Sequence, residues 1–181
     1  MNTVQPIRDS ELIQGIRDYL YDKSERNYIL FELGIQTGLR ISDILRLRVR
    51  DVESHTHILI REKKTSKERR IIMNKKLRKA LNNYIQGKAP EEYIIKSRVG
   101  KNQPIGRSMA YKVLRDAANQ FNLREIGTHT MRKTWGYMAY KRTKDISTIQ
   151  KVFNHRSPED TLRYIGITQD TIDDLMMKVD I

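Results

Sequence analysis

The chain has 181 residues, a length that suits one compact domain, and no cysteine, which excludes disulfides, thiolate zinc sites and cysteine nucleophiles. Its 35 lysines and arginines outnumber 22 acidic residues, for a formal net charge of +13. The basic residues occur in separate runs (KKTSKERR, KSRVGK, YKRTK), a distribution that favours a folded cradle for nucleic acid over a disordered basic arm.

Apolar spacing then defines the elements in chain order. Residues 9–21 place Leu12, Ile13, Ile16 and Leu20 on one helical face. Ser24 is placed to cap a second helix that ends at Gly38, and Ser42 a third, DILRLRV. HTHILIRE (55–62) and RRIIMN (69–74) alternate, and the polar KKTSKE between them makes a β-hairpin with a basic tip. Asn74 caps a helix carrying Leu77, Leu81 and Tyr84. EYIIKS (92–97) reads as a third strand, and VGKNQPIG as a loop. Helices follow from Ser108 to about Phe121, from Thr130 to about Arg142 with Thr128 as cap, over 145–153, over 157–165 and over 168–179. The expected fold is mainly α with a small antiparallel β-sheet (α+β). No apolar run long enough to span a membrane and no signal-peptide pattern occurs, so a cytoplasmic chain is expected.

Several short stretches carry chemistry. In HTMRKTWGYMAY, His129, Arg132 and Lys133 share one face near a helix start, where backbone N–H groups also favour anions. In TGLRISDIL, Arg40 sits in a corner between helices, and Asp43 is placed to hold it. Lys63, Lys64 and Lys67 crowd the hairpin tip, where an ammonium can reach into a groove or donate a proton. In FNHRSPEDTLRYI, His155 precedes a well-capped helix whose end carries Tyr164. Taken singly, each has a plain structural explanation: a basic helix face, an Arg–Asp pair, a solvated turn, a packed tyrosine.

Their order is more specific. An Arg after a helix-ending Gly, a Lys on a β-hairpin, H-x-x-R, a His, then a Tyr nine positions on resembles the tyrosine recombinases, the phage-integrase family. The resemblance runs from about Arg40 to Tyr164 and implies that family's catalytic-domain fold. TGLRISDIL is similar to the first-arginine motif, with Asp43 at its acidic position, and Lys64 falls on the hairpin lysine. HTMR supplies His129 and Arg132, FNHRS supplies His155, and Tyr164 falls on the nucleophile. Three departures leave every reactive group in place. Met131 stands for a leucine, Lys133 stands where a histidine is common, and Asn154 stands for a glycine and tolerates a left-handed backbone.

By resemblance, the chain is expected to cleave and rejoin double-stranded DNA through a 3′-phosphotyrosyl intermediate. Arg40, Arg132 and His155 would hold the phosphate, with His129 as base and Lys64 as acid. Lys67 and Lys133 are candidate DNA contacts. The chemistry needs no cofactor or metal, and His55 and His57 lack further obvious ligands. No membrane or small-molecule partner is expected. The whole chain, 1–181, reads as a single catalytic domain without the N-terminal core-binding domain common in the family, and bacterial or phage origin is implied. Family analogy implies a tetramer on DNA, and the 168–181 segment is a candidate for docking on a neighbouring protomer. The alternatives are a type IB topoisomerase, or a non-catalytic regulator using the helix-turn-helix-like segment at 28–48.

Overall fold

The computed structural model describes residues 4–61, 66 and 68–179. Among them, helix α1 (Ser10–Lys23) is capped by Asp9, whose carboxylate accepts from the Glu11 N–H. Its Ile13, Ile16 and Leu20 are buried on one side. Helix α2 (Glu25–Thr37) lies against α1 and is enclosed on nearly all faces, with Ile29 through Ile35 buried. That run includes Glu32, which is fully buried and accepts hydrogen bonds from Arg17 Nε and Gln36 Nε2. Burial of a carboxylate is tolerated only when it is partnered in this way.

Gly38 ends α2 with φ +64°, and a Cβ there would stand 2.8 Å from Trp135 Cδ2. Both the left-handed backbone and the close indole require glycine. The third helix differs from expectation. It is a single turn, α3 (Ile41–Ile44), with Arg40 rather than Ser42 at its N-cap. The chain leaves the helix there because Leu45 and Leu47 both turn inward, and the Leu47 carbonyl is taken by the Ile94 N–H at 2.9 Å.

Strands β1 (His57–Arg61) and β2 (Glu68–Ile72) form the expected antiparallel hairpin, with Leu59 opposite Arg70. The expected third strand is absent among the described residues. Residues 92–97 contribute only isolated bridges, Arg48 to Tyr93 and Lys96 to Pro104. Ile94 and Ile95 are both fully buried, so the segment lacks the two-faced alternation of a sheet strand and runs as extended chain through the core.

Helix α4 (Lys75–Ile85) starts at Asn74, whose side chain accepts from the Leu77 N–H at 2.9 Å. Helix α5 (Arg107–Asn119) starts one residue before the expected Ser108, and Met109 is exposed while Ala110, Val113 and Leu114 are buried. Helix α6 (Thr130–Thr143) has His129, not Thr128, at its N-cap position. Helices α7 (Ile146–Phe153), α8 (Pro158–Tyr164) and α9 (Ile167–Lys178) complete the chain, the first two capped by Asp145 and Ser157. None of the described helices is long and apolar enough to cross a membrane.

Among the described residues two apolar cores result. The larger joins α1–α5 and the hairpin, and it includes Met131 of α6. The smaller holds Tyr137, Ile149, Phe153 and Ile165, from α6, α7 and the end of α8. Helix α6 belongs to both, and its first turn lies at the seam between them.

Candidate active site

At that seam, five of the six residues expected to act together meet. Arg40 comes from the α2–α3 corner, His129 and Arg132 from the start of α6, His155 from the α7–α8 turn, and Tyr164 from the last turn of α8. The two guanidinium groups converge on one acceptor. Arg40 Nη2 donates to the Phe153 carbonyl at 3.4 Å, and Arg132 Nη2 donates to the same oxygen at 3.1 Å. Arg132 is buried, its Nη1 donates to the Gly38 carbonyl, and its guanidinium lies 4.2 Å from the centroid of the Phe153 ring. The glycine that ends α2 therefore supplies an acceptor that fixes the second arginine.

Tyr164 is partly buried. Its hydroxyl is 3.2 Å from His129 Nδ1, within hydrogen-bonding distance. Its ring packs edge-on against Phe153 and His155, with centroids 5.4 and 5.0 Å away. Burial pushes the phenol above its ordinary value, while the Arg132 and Arg40 charges pull it back down. His155 is held through Nδ1, 3.1 Å from Thr161 Oγ1, and by its backbone N–H to the Gln150 carbonyl at 3.1 Å. The turn before it depends on Asn154 at φ 55°, ψ 47°, the left-handed conformation that asparagine adopts at low cost.

A cavity of about 320 Å³ opens beside these groups, lined by Arg40, Ser42, Arg107, Thr128, His129 and Arg132. Three guanidinium-bearing residues and a helix start around one small cavity give it a chemistry suited to an anion. Arg107 was not singled out from the sequence. The structure makes it the first residue of α5, where a cation opposes the helix dipole unless an anion balances both.

The remaining expected residues divide. Asp43 is buried on α3, with its backbone N–H on the Arg40 carbonyl at 2.9 Å. Lys133 points at the protein as well as the site: its Nζ donates to the Val4 carbonyl at 2.7 Å and lies 5.0 Å from the Tyr164 ring centroid. Lys64 and Lys67 lie outside the described residues. No group of three or more potential metal-ligating side chains occurs among the described residues.

The phage integrase family model matches residues 9–170. The chain is 48% identical over 171 residues to the probable integrase/recombinase YoeC of Bacillus subtilis (strain 168), covering 94% of both. It is 27% identical to a tyrosine recombinase of Pseudothermotoga lettingae, where it covers 92% of this chain and 62% of the relative. Its fold is similar to the crystal structure of XerA recombinase, with a TM-score of 0.75 at 18% identity over 98% of this chain and 65% of that one. It is also similar to a lambda integrase dimer bound to a core site, at TM-score 0.68 and 15% identity over 90% of this chain and 48% of that one. The chain thus matches nearly the full length of the Bacillus relative but less than two-thirds of the Pseudothermotoga recombinase. The chain belongs to the phage integrase family, as the ordered motifs imply, and has a tyrosine recombinase catalytic-domain fold.

Proposed function

We propose that this protein is a site-specific DNA recombinase that cleaves and rejoins double-stranded DNA through Tyr164. The observation that carries the reading is the Tyr164 hydroxyl 3.2 Å from His129, beside two guanidinium groups that share one acceptor. Those arginines now meet a backbone carbonyl, a neutral stand-in for the phosphate oxygens they would grip. In the reaction, His129 accepts the phenolic proton as the Tyr164 oxygen attacks phosphorus. Arg40, Arg132 and His155 hold the non-bridging oxygens as their negative charge grows. His155 acts through the Nε2–H of its imidazolium, because Nδ1 donates to Thr161 Oγ1, whose own hydroxyl donates to the Ser157 carbonyl. The 5′-oxygen leaves with a proton from Lys64, and the phosphate remains linked to Tyr164. Attack by a 5′-hydroxyl of another strand reverses the step, so the energy of the broken bond is retained.

For assembly, the chemistry of α9 supports the reading. Its Ile172 and Met176 are exposed, as is Val179 just after it, and Asp170, Asp173 and Asp174 make it acidic. A groove of about 670 Å³ carries apolar Ile13, Trp135 and Met138 with basic Arg17, Lys75 and Arg142. In this reading, protomers assemble as a tetramer on DNA, with α9 of one in the groove of the next. Residues 1–181 act as the catalytic unit.

The test is covalent trapping on nicked duplexes bearing candidate attachment sites. The wild type gives a denaturant-resistant protein–DNA adduct and Tyr164→Phe gives none while still binding DNA. An adduct from the Phe variant removes Tyr164 from the role. Relaxation of a plasmid lacking any attachment site would instead mark a topoisomerase.

A further inference from the structure

Lys133 follows Arg132 on the first turn of α6, and its aliphatic stem is half-buried. Its ammonium is fixed from two directions, by the Val4 carbonyl at 2.7 Å and by the face of the Tyr164 ring at 5.0 Å. Val4 belongs to an extended N-terminal strap, residues 4–8, that is itself anchored at three points. The Gln5 N–H donates to the Glu125 carbonyl at 2.9 Å, and the Ile7 N–H donates to Thr134 Oγ1 of α6 at 2.9 Å. Arg8 pairs with Asp170 of α9 at 3.0 Å. The strap therefore sets where the lysine head lies.

A cation over an aromatic face is attracted by the ring's quadrupole, the more so where both are desolvated. The attraction strengthens when the ring gains negative charge, as the phenol does when it attacks. We propose that Lys133 is a positioning residue for the nucleophile: clamped by the strap's Val4 carbonyl, it seats the Tyr164 ring and compensates the charge that forms there. The proposal rests on the assignment of Tyr164 as nucleophile. Other groups face the pair as well. His129 and Arg132 reach Tyr164 from the start of α6, Arg40 from the α2–α3 corner, and His155 from the α7–α8 turn, while Arg8 of the strap faces Lys133. Burial pushes the phenol up while the Arg132 and Arg40 charges draw it down, and burial and then Arg8 lower the ammonium.

Two variants separate charge from packing. Lys133→Gln keeps a donor for the Val4 carbonyl and removes the charge, whereas Lys133→Arg keeps the charge. Tyrosines labelled with carbon-13 at Cζ are titrated by NMR, with the Tyr164 signal identified by its loss in Tyr164→Phe. The Tyr164 midpoint is expected to rise in the Gln variant and return in the Arg variant. Adduct formation at neutral pH should fall about tenfold in the Gln variant, with the alkaline rise of its rate profile displaced to higher pH. An unmoved midpoint in Lys133→Gln overturns the proposal whatever happens to cleavage. So does a loss of rate that is uniform across pH. A midpoint that moves in a protein whose wild type forms no adduct supports the lysine's placement and removes the recombinase reading instead.

Discussion

The hydroxyl of Tyr164 and Nδ1 of His129 lie 3.2 Å apart although 35 positions separate them in the chain. The distance suits direct proton transfer, provided Nδ1 is the unprotonated nitrogen. His129→Gln keeps a hydrogen-bonding side chain and loses the proposed base. It should slow adduct formation by about 100- to 10,000-fold and remove the acid limb of the rate–pH profile. Single-turnover cleavage of a nicked duplex measures both, and an unchanged acid limb would assign the base elsewhere.

Arg40 and Arg132 should separate in stability while agreeing in activity. Either alanine variant should slow cleavage by about 100-fold or more, through loss of a donor to the transition-state oxygens. Arg132 is also the buried donor to the carbonyls of Gly38 and Phe153, so Arg132→Ala should cost about 2–4 kcal/mol of folding stability. Arg40 is only partly buried and donates to Phe153 at a longer distance, so its removal should cost less. Urea denaturation of the two variants beside the wild type makes the comparison.

Gly136 is where α6 meets the other helices of the smaller core. A Cβ there would stand 2.7 Å from both Phe153 Cζ and Ile165 Cγ2. Gly136→Ala should destabilise by about 1–3 kcal/mol by overpacking. Because Phe153 lies two residues from His155 and Ile165 adjoins Tyr164, cleavage should fall more than DNA affinity does. Equal losses in a cleavage assay and a binding titration would count against this coupling.

Tyr84 provides a pH test away from the site. Its hydroxyl donates to the Ile94 carbonyl at 3.0 Å, and burial raises its pKa above the ordinary value of 10.0. A raised folded-state pKa means that the folded protein holds the proton longer than the unfolded chain. The associated stability is complete below pH 10 and is lost as pH climbs through the folded value. Wild type should therefore lose more stability than Tyr84→Phe over that alkaline range, as read from urea midpoints at stepped pH.

The α9 reading predicts a variant that cuts but does not exchange. Met176 is exposed on α9. Met176→Asp should leave adduct formation on a single site intact and lower joining between two sites about tenfold or more. Equal rates for one-site and two-site reactions would place the apolar side of α9 outside any assembly contact.

Much of this molecule is legible in its sequence, and the exceptions have identifiable causes. Helices with a one-sided apolar pattern and a capping residue, such as α1, α4, α7 and α8, follow directly from spacing and cap chemistry. The hairpin follows from alternation on either side of a polar turn. The third strand fails because EYIIKS carries its two isoleucines side by side and buries both, which local pattern cannot distinguish from a strand in a covered sheet. DILRLRV fails as a helix because a tertiary hydrogen bond to Leu47 overrides local preference. Arg107 escaped notice because a single Arg after Gly106 has no partner in sequence, and only the folded cavity brings it near Arg132. The apposition of Lys133 and Tyr164 likewise depends on a strap held by contacts more than 120 positions away in the chain.

The Phe153 carbonyl carries one further meaning. It receives both guanidinium groups, and it belongs to the smaller core, while Arg40 is carried on the larger. Under the proposed roles, the nucleophile is carried by one core and a phosphate-binding arginine by the other. The capacity to cut then depends on how the two cores dock, so that docking serves as an interlock on the reaction.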